Sequence, residues 1–296
     1  MYSRRCHKIK RLDHFTLKYK SSAISCHRYG NGPVAVLCFA GYGETGNAFS
    51  LLTGDDTVAF SLFCIDLPFH GSTAWNENRR LLRKDLLVIR DMVLDLHQAA
   101  SGVETPSESA AKNPATPYVL MGFSLGGRVA MELYRSDPSR VSRLLLLAPD
   151  GLRFGFWFSF STGTWIGGRV FHLLMYHRHL LPRLLSLVKK TGLIDKSRMK
   201  FIGNYLQDPE SRKLVYKRWS VLGKMKPSRA RLRRLVMQHH TTVRLLYGRF
   251  DRVIPAADGV KFNGTIQPHG AIIILESGHQ LLVPKNRKVI VAALRE

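Results

Sequence analysis

Tyr118-Val119-Leu120-Met121-Gly122-Phe123-Ser124-Leu125-Gly126-Gly127 decides the fold. It joins a short apolar run, Tyr118–Met121, to a helical pattern over Leu125–Arg135. A run of that length with a β-branched residue reads as a buried strand. Gly-x-Ser-x-Gly between a strand and a helix is a turn too sharp for side chains at the glycine positions. It holds the serine in a strained backbone conformation, with its hydroxyl exposed at the carboxyl end of the strand. The Leu125 N–H, at the start of the helix, is positioned to donate to a negatively charged oxygen.

The same alternation extends in both directions. Upstream, Phe15–Lys20 and Ala23–Tyr29 read as a β-hairpin turning at Ser21–Ser22. Val34–Phe39 and Ala59–Ile65 are apolar runs expected of buried parallel strands, with a helix placed over Asn47–Leu52 between them. Arg79–Ala99 has helical periodicity, with Leu82, Leu86, Ile89, Val93 and Leu96 assigned to the buried face. Ser101–Pro117 is rich in Ser, Pro, Ala, Thr and Glu and reads as a surface loop. Downstream, strands are expected at Arg143–Leu147, Val243–Tyr247 and Ala271–Leu275, and a last helix at Pro284–Leu294. The expected class is α/β, a mostly parallel central sheet with helices on both faces. The alternation lapses from Gly151 to about His240, where Leu-rich and Arg/Lys-rich helical patterns take over. We therefore expect a core formed by residues 1–150 and 241–296, with a helical, strongly basic cap inserted at 151–240.

A serine hydroxyl is a poor nucleophile without a base held by a third group. Asp251 follows the fifth buried strand, in Tyr247-Gly248-Arg249-Phe250-Asp251, and His279 follows the sixth, in Glu276-Ser277-Gly278-His279. Ser124, Asp251 and His279 thus all lie in loops at carboxyl ends of parallel strands, where such sheets place their sites. Asp150, after the fourth strand, is the rival acid; its expected place is the entrance to the cap.

With these residues in hand, the chain resembles the α/β-hydrolase superfamily, in the capped branch of esterases, lipases, thioesterases and carbon–carbon bond hydrolases. The likeness covers nearly the whole chain and is weakest in the cap. Asp66-Leu67-Pro68-Phe69-His70-Gly71-Ser72 resembles the family's Asp-x-Pro-x-x-Gly-x-Ser segment. Phe39-Ala40-Gly41-Tyr42-Gly43 occupies the place of its oxyanion loop, with Ala40-Gly41 where a His-Gly pair is usual. The resemblance implies Ser124 as nucleophile, His279 as base, Asp251 as the acid that orients it, and the backbone N–H groups of Tyr42 and Leu125 as oxyanion donors. It implies acyl transfer to water from a small ester or thioester, with no cofactor and no metal. A serine at the elbow argues against the haloalkane dehalogenases and epoxide hydrolases, which use an aspartate there. A carbon–carbon bond hydrolase with the same triad, and a non-catalytic binding member of the fold, are the competing readings.

Composition narrows the partners. The net charge is +24 on 296 residues, and nearly all of the excess falls in two segments, 1–28 and 151–240. Such a localised field attracts anions: an acidic partner, or an anionic membrane touched peripherally through the basic cap. No module or Lys/Arg-aromatic pattern for nucleic acid accompanies it. The cap is also aromatic, from Phe154 to Trp165, which suits a substrate with an apolar acyl chain and an anionic group. His172, His177 and His179 are read as cap surface, since basic neighbours such as Arg178 and Arg183 oppose a cation. Among the four cysteines, Cys38 and Cys64 lie inside apolar runs and no pairing or metal spacing appears. No apolar stretch follows the basic Met1–Lys10, so a cytoplasmic protein, peripheral to a membrane surface at most, is expected.

Overall fold

The computed structural model describes residues 13–100, 116–177, 180 and 208–296. Eight strands form one sheet: β1 (Asp13–Tyr19), β2 (Ser22–Tyr29), β3 (Val34–Phe39), β4 (Phe60–Ile65), β5 (Tyr118–Phe123), β6 (Val141–Leu147), β7 (Thr242–Gly248) and β8 (Gly270–Leu275). Their order is β1-β2-β4-β3-β5-β6-β7-β8. β1 and β2 form the expected hairpin and β2 pairs antiparallel with β4; every other pairing is parallel. β4 and β5 are buried at every position, as both-face coverage by helices requires. β8 is an edge strand, and Ile274 on it is exposed.

The chain runs from β3 to β4 on one side, then crosses to β5 on the other side of β3. The strand order therefore reverses between β3 and β5. The crevice outside the carboxyl ends at such a reversal is where open α/β sheets bind ligands. Here it is flanked by residues 40–43 after β3 and by Ser124 after β5.

Helix α1 (Arg83–Ala100) crosses from β4 towards β5, and α2 (Leu125–Ser136) follows the elbow. α2 is buried from Leu125 to Tyr134, so it is a core helix. α1 starts four residues later than its periodicity predicts. The Asp85 carboxylate accepts the Leu82 N–H and grips the Arg79 guanidinium at 2.6 and 2.9 Å, which fixes 79–82 as a non-helical entry. The buried face of α1 is Leu86, Ile89, Arg90, Val93, Leu94 and His97. Leu96, assigned to that face from sequence, is 41% exposed, because the 3.6-residue repeat carries the stripe through Leu94 and His97. Gly46–Leu52 is a 3-10 helix where a helix was expected over Asn47–Leu52.

Between β6 and β7 the described residues form four helices: α3 (Phe156–Gly163), α4 (Trp165–Tyr176), α5 (Pro209–Val221) and α6 (Arg229–His239). Their apolar residues divide between two clusters. Leu232 and Val236 of α6 join the main core, whereas Phe171, Met175 and Val215 form a small cluster of their own between α4 and α5. Two further helices complete the fold, α7 (Ala257–Gly264) and α8 (Arg287–Arg295). The expected last helix divides into a 3-10 turn at Pro284–Asn286 and α8. Cys26, Cys38 and Cys64 are free and buried. Among the described residues no helix is long and apolar enough to cross a membrane, and no His/Cys/Asp/Glu group could hold a metal. Cys6, His179, Arg178, Arg183 and most of the 101–117 loop lie outside the described residues.

Candidate active site

Ser124 sits at the tip of the elbow with φ 50° and ψ −116°. A left-handed φ at a non-glycine residue costs on the order of 1–3 kcal/mol and persists only where the surroundings impose it. They do so through hydrogen bonds: Ser124 N–H donates to Leu147 O at 2.9 Å, and Ser124 O accepts from the N–H groups of Gly127 and Asp150, each at 2.9 Å. The flanking glycines are required by contact. A Cβ on Gly122 would lie 2.6 Å from Gly126 O, and one on Gly126 would lie 1.9 Å from Phe39 O. No side chain fits in either place, so β3, β5 and α2 close directly on the elbow.

The three residues predicted from sequence come together. Ser124 Oγ and His279 Nε2 are 3.0 Å apart, and His279 Nδ1 lies 2.7 Å from Asp251 Oδ2. A carboxylate can only accept, so Nδ1 carries the proton and Nε2 is left with a lone pair facing the serine hydroxyl. The second Asp251 oxygen accepts the N–H groups of Val253 and Ile254, each at 2.8 Å. The Asp251 side chain is fully buried, so its charge is held by hydrogen bonds and not by water. Asp150 is not part of this relay. It pairs with Arg128, and both line the pocket.

Several supporting residues carried no motif signal. Asn286, below the His279 loop, bonds both Ser277 Oγ and Leu281 O and so holds the two sides of that loop. Gln280 Nε2–H donates to Glu44 Oε1 at 2.6 Å, while Glu44 Oε2 accepts the Gly41 N–H at 3.1 Å. Glu44 thus ties the loop after β3 to the histidine loop. The loops after β7 and β8 are tied in turn by the Phe250 N–H to Ser277 O bond of 3.0 Å. A side chain reaching across more than two hundred positions leaves no trace in local spacing.

The segment after β4 is structural in its contacts. Asp66 accepts Ser25 Oγ–H at 2.8 Å and the Gly46 N–H at 2.6 Å. His70 is 1% exposed and donates Nδ1–H to Pro68 O at 2.9 Å, while its Nε2 is buried with no partner among the described residues. Burial pushes its pKa down to about 4, and the nearby Arg218 charge pushes in the same direction. His70 is therefore neutral at pH 7 and packs edge-on against the Tyr42 ring.

Ser124 opens into a cavity of about 280 Å³. Tyr42 and Leu125, the predicted oxyanion donors, line it beside the serine. Phe154, Phe158, Trp219, Leu222, Val253 and Ile254 give it apolar walls. Arg128 closes one side, its guanidinium carbon 4.1 Å from the Phe158 ring centroid. The helices between β6 and β7 are fastened over the site at three points on the 69–81 segment. Arg218 Nε–H donates to Phe69 O, Arg80 donates to Thr162 O, and Leu81 N–H donates to Val221 O. A strained serine, a tautomer-fixed histidine and a buried carboxylate at the mouth of an apolar cavity form an arrangement able to activate a hydroxyl for attack.

Comparison with known proteins agrees with this architecture. No curated protein sequence matches. Among solved structures, a thermophilic esterase from Thermogutta terrifontis superposes with a TM-score of 0.62 at 15% identity, covering 96% of this chain and 97% of that one. The 2-hydroxy-6-oxo-6-phenylhexa-2,4-dienoate hydrolase of Rhodococcus sp. strain RHA1 gives 0.59 at 16%, covering 97% and 99%. A thioesterase domain from the curacin biosynthetic pathway gives 0.56 at 15%, covering 96% and 99%. At these identities the likeness is one of fold. The model of the alpha/beta hydrolase family matches residues 36–293, and the chain belongs to that family.

Proposed function

We propose that this protein is a serine hydrolase that cleaves a carboxylic ester or thioester. The observation that carries the reading is the relay from Asp251 through His279 to Ser124 Oγ, at 2.7 and 3.0 Å, ending at a strained serine in a cavity. Ser124 Oγ attacks the carbonyl carbon while His279 Nε2 takes its proton. Asp251 keeps His279 in the required tautomer and stabilises the imidazolium that forms. The N–H groups of Leu125 and Tyr42 hold the oxyanion. His279 then protonates the leaving alcohol or thiol. A water activated by the same nitrogen attacks the acyl-enzyme, and Ser124 is regenerated as the acid product leaves. These steps call on no cofactor.

The cavity bears on the substrate. Its aromatic and aliphatic walls suit an apolar group, and its described part, about 280 Å³, approaches the size of a small-molecule site. The esterase and thioesterase folds among the neighbours support ester or thioester chemistry as the first substrates to try.

The test is labelling with a fluorophosphonate probe, wild type against Ser124→Ala. Labelling of the wild type alone is expected. A folded wild type that stays unlabelled and turns over no ester would sink the hydrolase reading.

A further inference from the structure

The cavity over Ser124 is apolar in its walls but not in its charge. It is lined by three arginines, Arg128, Arg153 and Arg218, against one carboxylate, Asp150. Arg128 is accounted for: it pairs with Asp150 and stacks on Phe158. Arg218 is not. It reaches from α5 to the core, where Nε–H donates to Phe69 O at 2.9 Å and the guanidinium carbon stands 5.1 Å from the Tyr42 ring centroid. Those contacts fix the plane of the guanidinium, and among the described residues its two terminal nitrogens have no protein acceptor. Among the described residues no carboxylate pairs with Arg218 or with Arg153.

A half-buried, oriented and uncompensated guanidinium is costly unless something supplies the anion. Its planar fork matches a carboxylate in a way that a diffuse positive surface does not. Tyr42 places this fork beside the loop expected to hold the oxyanion, in the same cavity as Ser124. His70, packed edge-on against Tyr42 and close enough to feel the Arg218 charge, stays neutral at pH 7 and adds no competing cation.

We propose that the substrate hydrolysed at Ser124 carries a carboxylate away from the scissile bond, and that Arg218, with Arg153 at the rim, is the residue that selects it. This rests on the hydrolase reading above. The substrate class is then a monoester or monothioester of a dicarboxylic acid, or an ester whose leaving alcohol bears the acid.

Two pairs of matched esters test it. One pair varies the acyl side, the p-nitrophenyl monoester of glutaric acid against p-nitrophenyl valerate. The other varies the leaving group, acetylated para-hydroxybenzoate against acetylated para-hydroxybenzamide. In at least one pair, wild type is expected to favour the charged ester about tenfold or more in kcat/KM. In Arg218→Gln that ratio falls towards one, through a raised KM for the charged ester, and Arg218→Lys restores part of it. Arg233, exposed on α6 and outside the cavity, is the control for the overall field of +24: Arg233→Gln keeps the wild-type ratio. No preference in either pair, or a ratio unchanged in Arg218→Gln, overturns the proposal. A phosphonate analogue of the glutaryl ester preferred over the carboxylate also overturns it, in favour of a phosphate site. Titration of Ser124→Ala with glutarate by calorimetry reads the site without turnover, and binding is expected to be lost in the Ser124→Ala/Arg218→Gln protein. If Ser124 is neither labelled nor active on any ester, the hydrolase reading fails, and that titration still decides the carboxylate site.

Discussion

Protonation of the buried His70 is expected to cost this protein stability in mild acid. In the folded state its pKa is pushed down to about 4, chiefly because the ring is buried and secondly because Arg218 is near. Unfolded, it titrates at about 6.5. Above pH 6.5 both states hold a neutral imidazole, and the group has no effect on stability. As pH falls through 6.5 the unfolded chain gains a proton that the folded protein refuses until pH 4, so stability is lost across that window. Each unit of difference is worth 1.36 kcal/mol, so the loss from this one group is about 2 kcal/mol by pH 5 and about 3 kcal/mol by pH 4. The comparison is urea unfolding of wild type and His70→Asn at pH 7, 5 and 4. Asparagine can still donate to Pro68 O but cannot titrate. The variant is expected to lose about 3 kcal/mol less than wild type between pH 7 and pH 4, with the other titrating groups cancelling in the difference. Equal losses in the two proteins would refute the argument. So would an NMR titration of the wild-type His70 ring with a midpoint near 6.5, which holds even if the variant folds poorly.

Two further outcomes are expected. Asp251→Asn should lower kcat on a neutral ester by about 10⁴-fold with KM little changed, since an amide no longer fixes the Nδ1–H tautomer of His279; steady-state kinetics with activity near wild type would return Asp150 to consideration as the acid. On α4, Trp165 and Ile166 are exposed and the Arg169 guanidinium lies 4.2 Å over the indole, an arrangement suited to an anionic bilayer surface. Co-sedimentation with phosphatidylserine vesicles should weaken roughly tenfold in Trp165→Ala, and equal binding by both proteins would remove this helix as the contact.

The parts of the molecule that could be read from sequence are those governed by local physics. Gly122 and Gly126 stand where a Cβ would strike backbone, so the elbow announces itself wherever it occurs. The β3 to β7 runs are apolar because that part of the sheet is covered on both faces, and burial of that kind is written residue by residue; β8, at the edge, is only partly covered. Ser124, Asp251 and His279 were each visible as loop residues after such a run. What could not be read depends on which side chains pair, some of them near in the chain and some far apart. The start of α1 is set by Asp85 holding Arg79, and its face by a register that leaves Leu96 in water. Glu44 and Gln280 meet across the mouth of the site with nothing in their neighbours to announce it. α7 is short and glycine-interrupted, below the length at which periodicity separates a helix from a loop. Arg218 counts in the sequence as one basic residue among many. Only its contacts with Phe69 and Tyr42 set it apart.

The division of the apolar residues into a large core and a small cluster of Phe171, Met175 and Val215 has a dynamic consequence. Free energies of local opening follow the contacts an element buries, so α4 and the adjoining turns of α5 belong to a separate cooperative unit of lower stability than α2. Amide protons in α4 then exchange with solvent through an opening that leaves the sheet and the serine elbow intact, while those of α2 wait for the whole domain to unfold. Trp219, which packs against the small cluster and also lines the cavity, is where such an excursion would reach the site. The catalytic geometry is built on the larger unit, so hydrogen exchange in α4 is expected to run well ahead of exchange in α2.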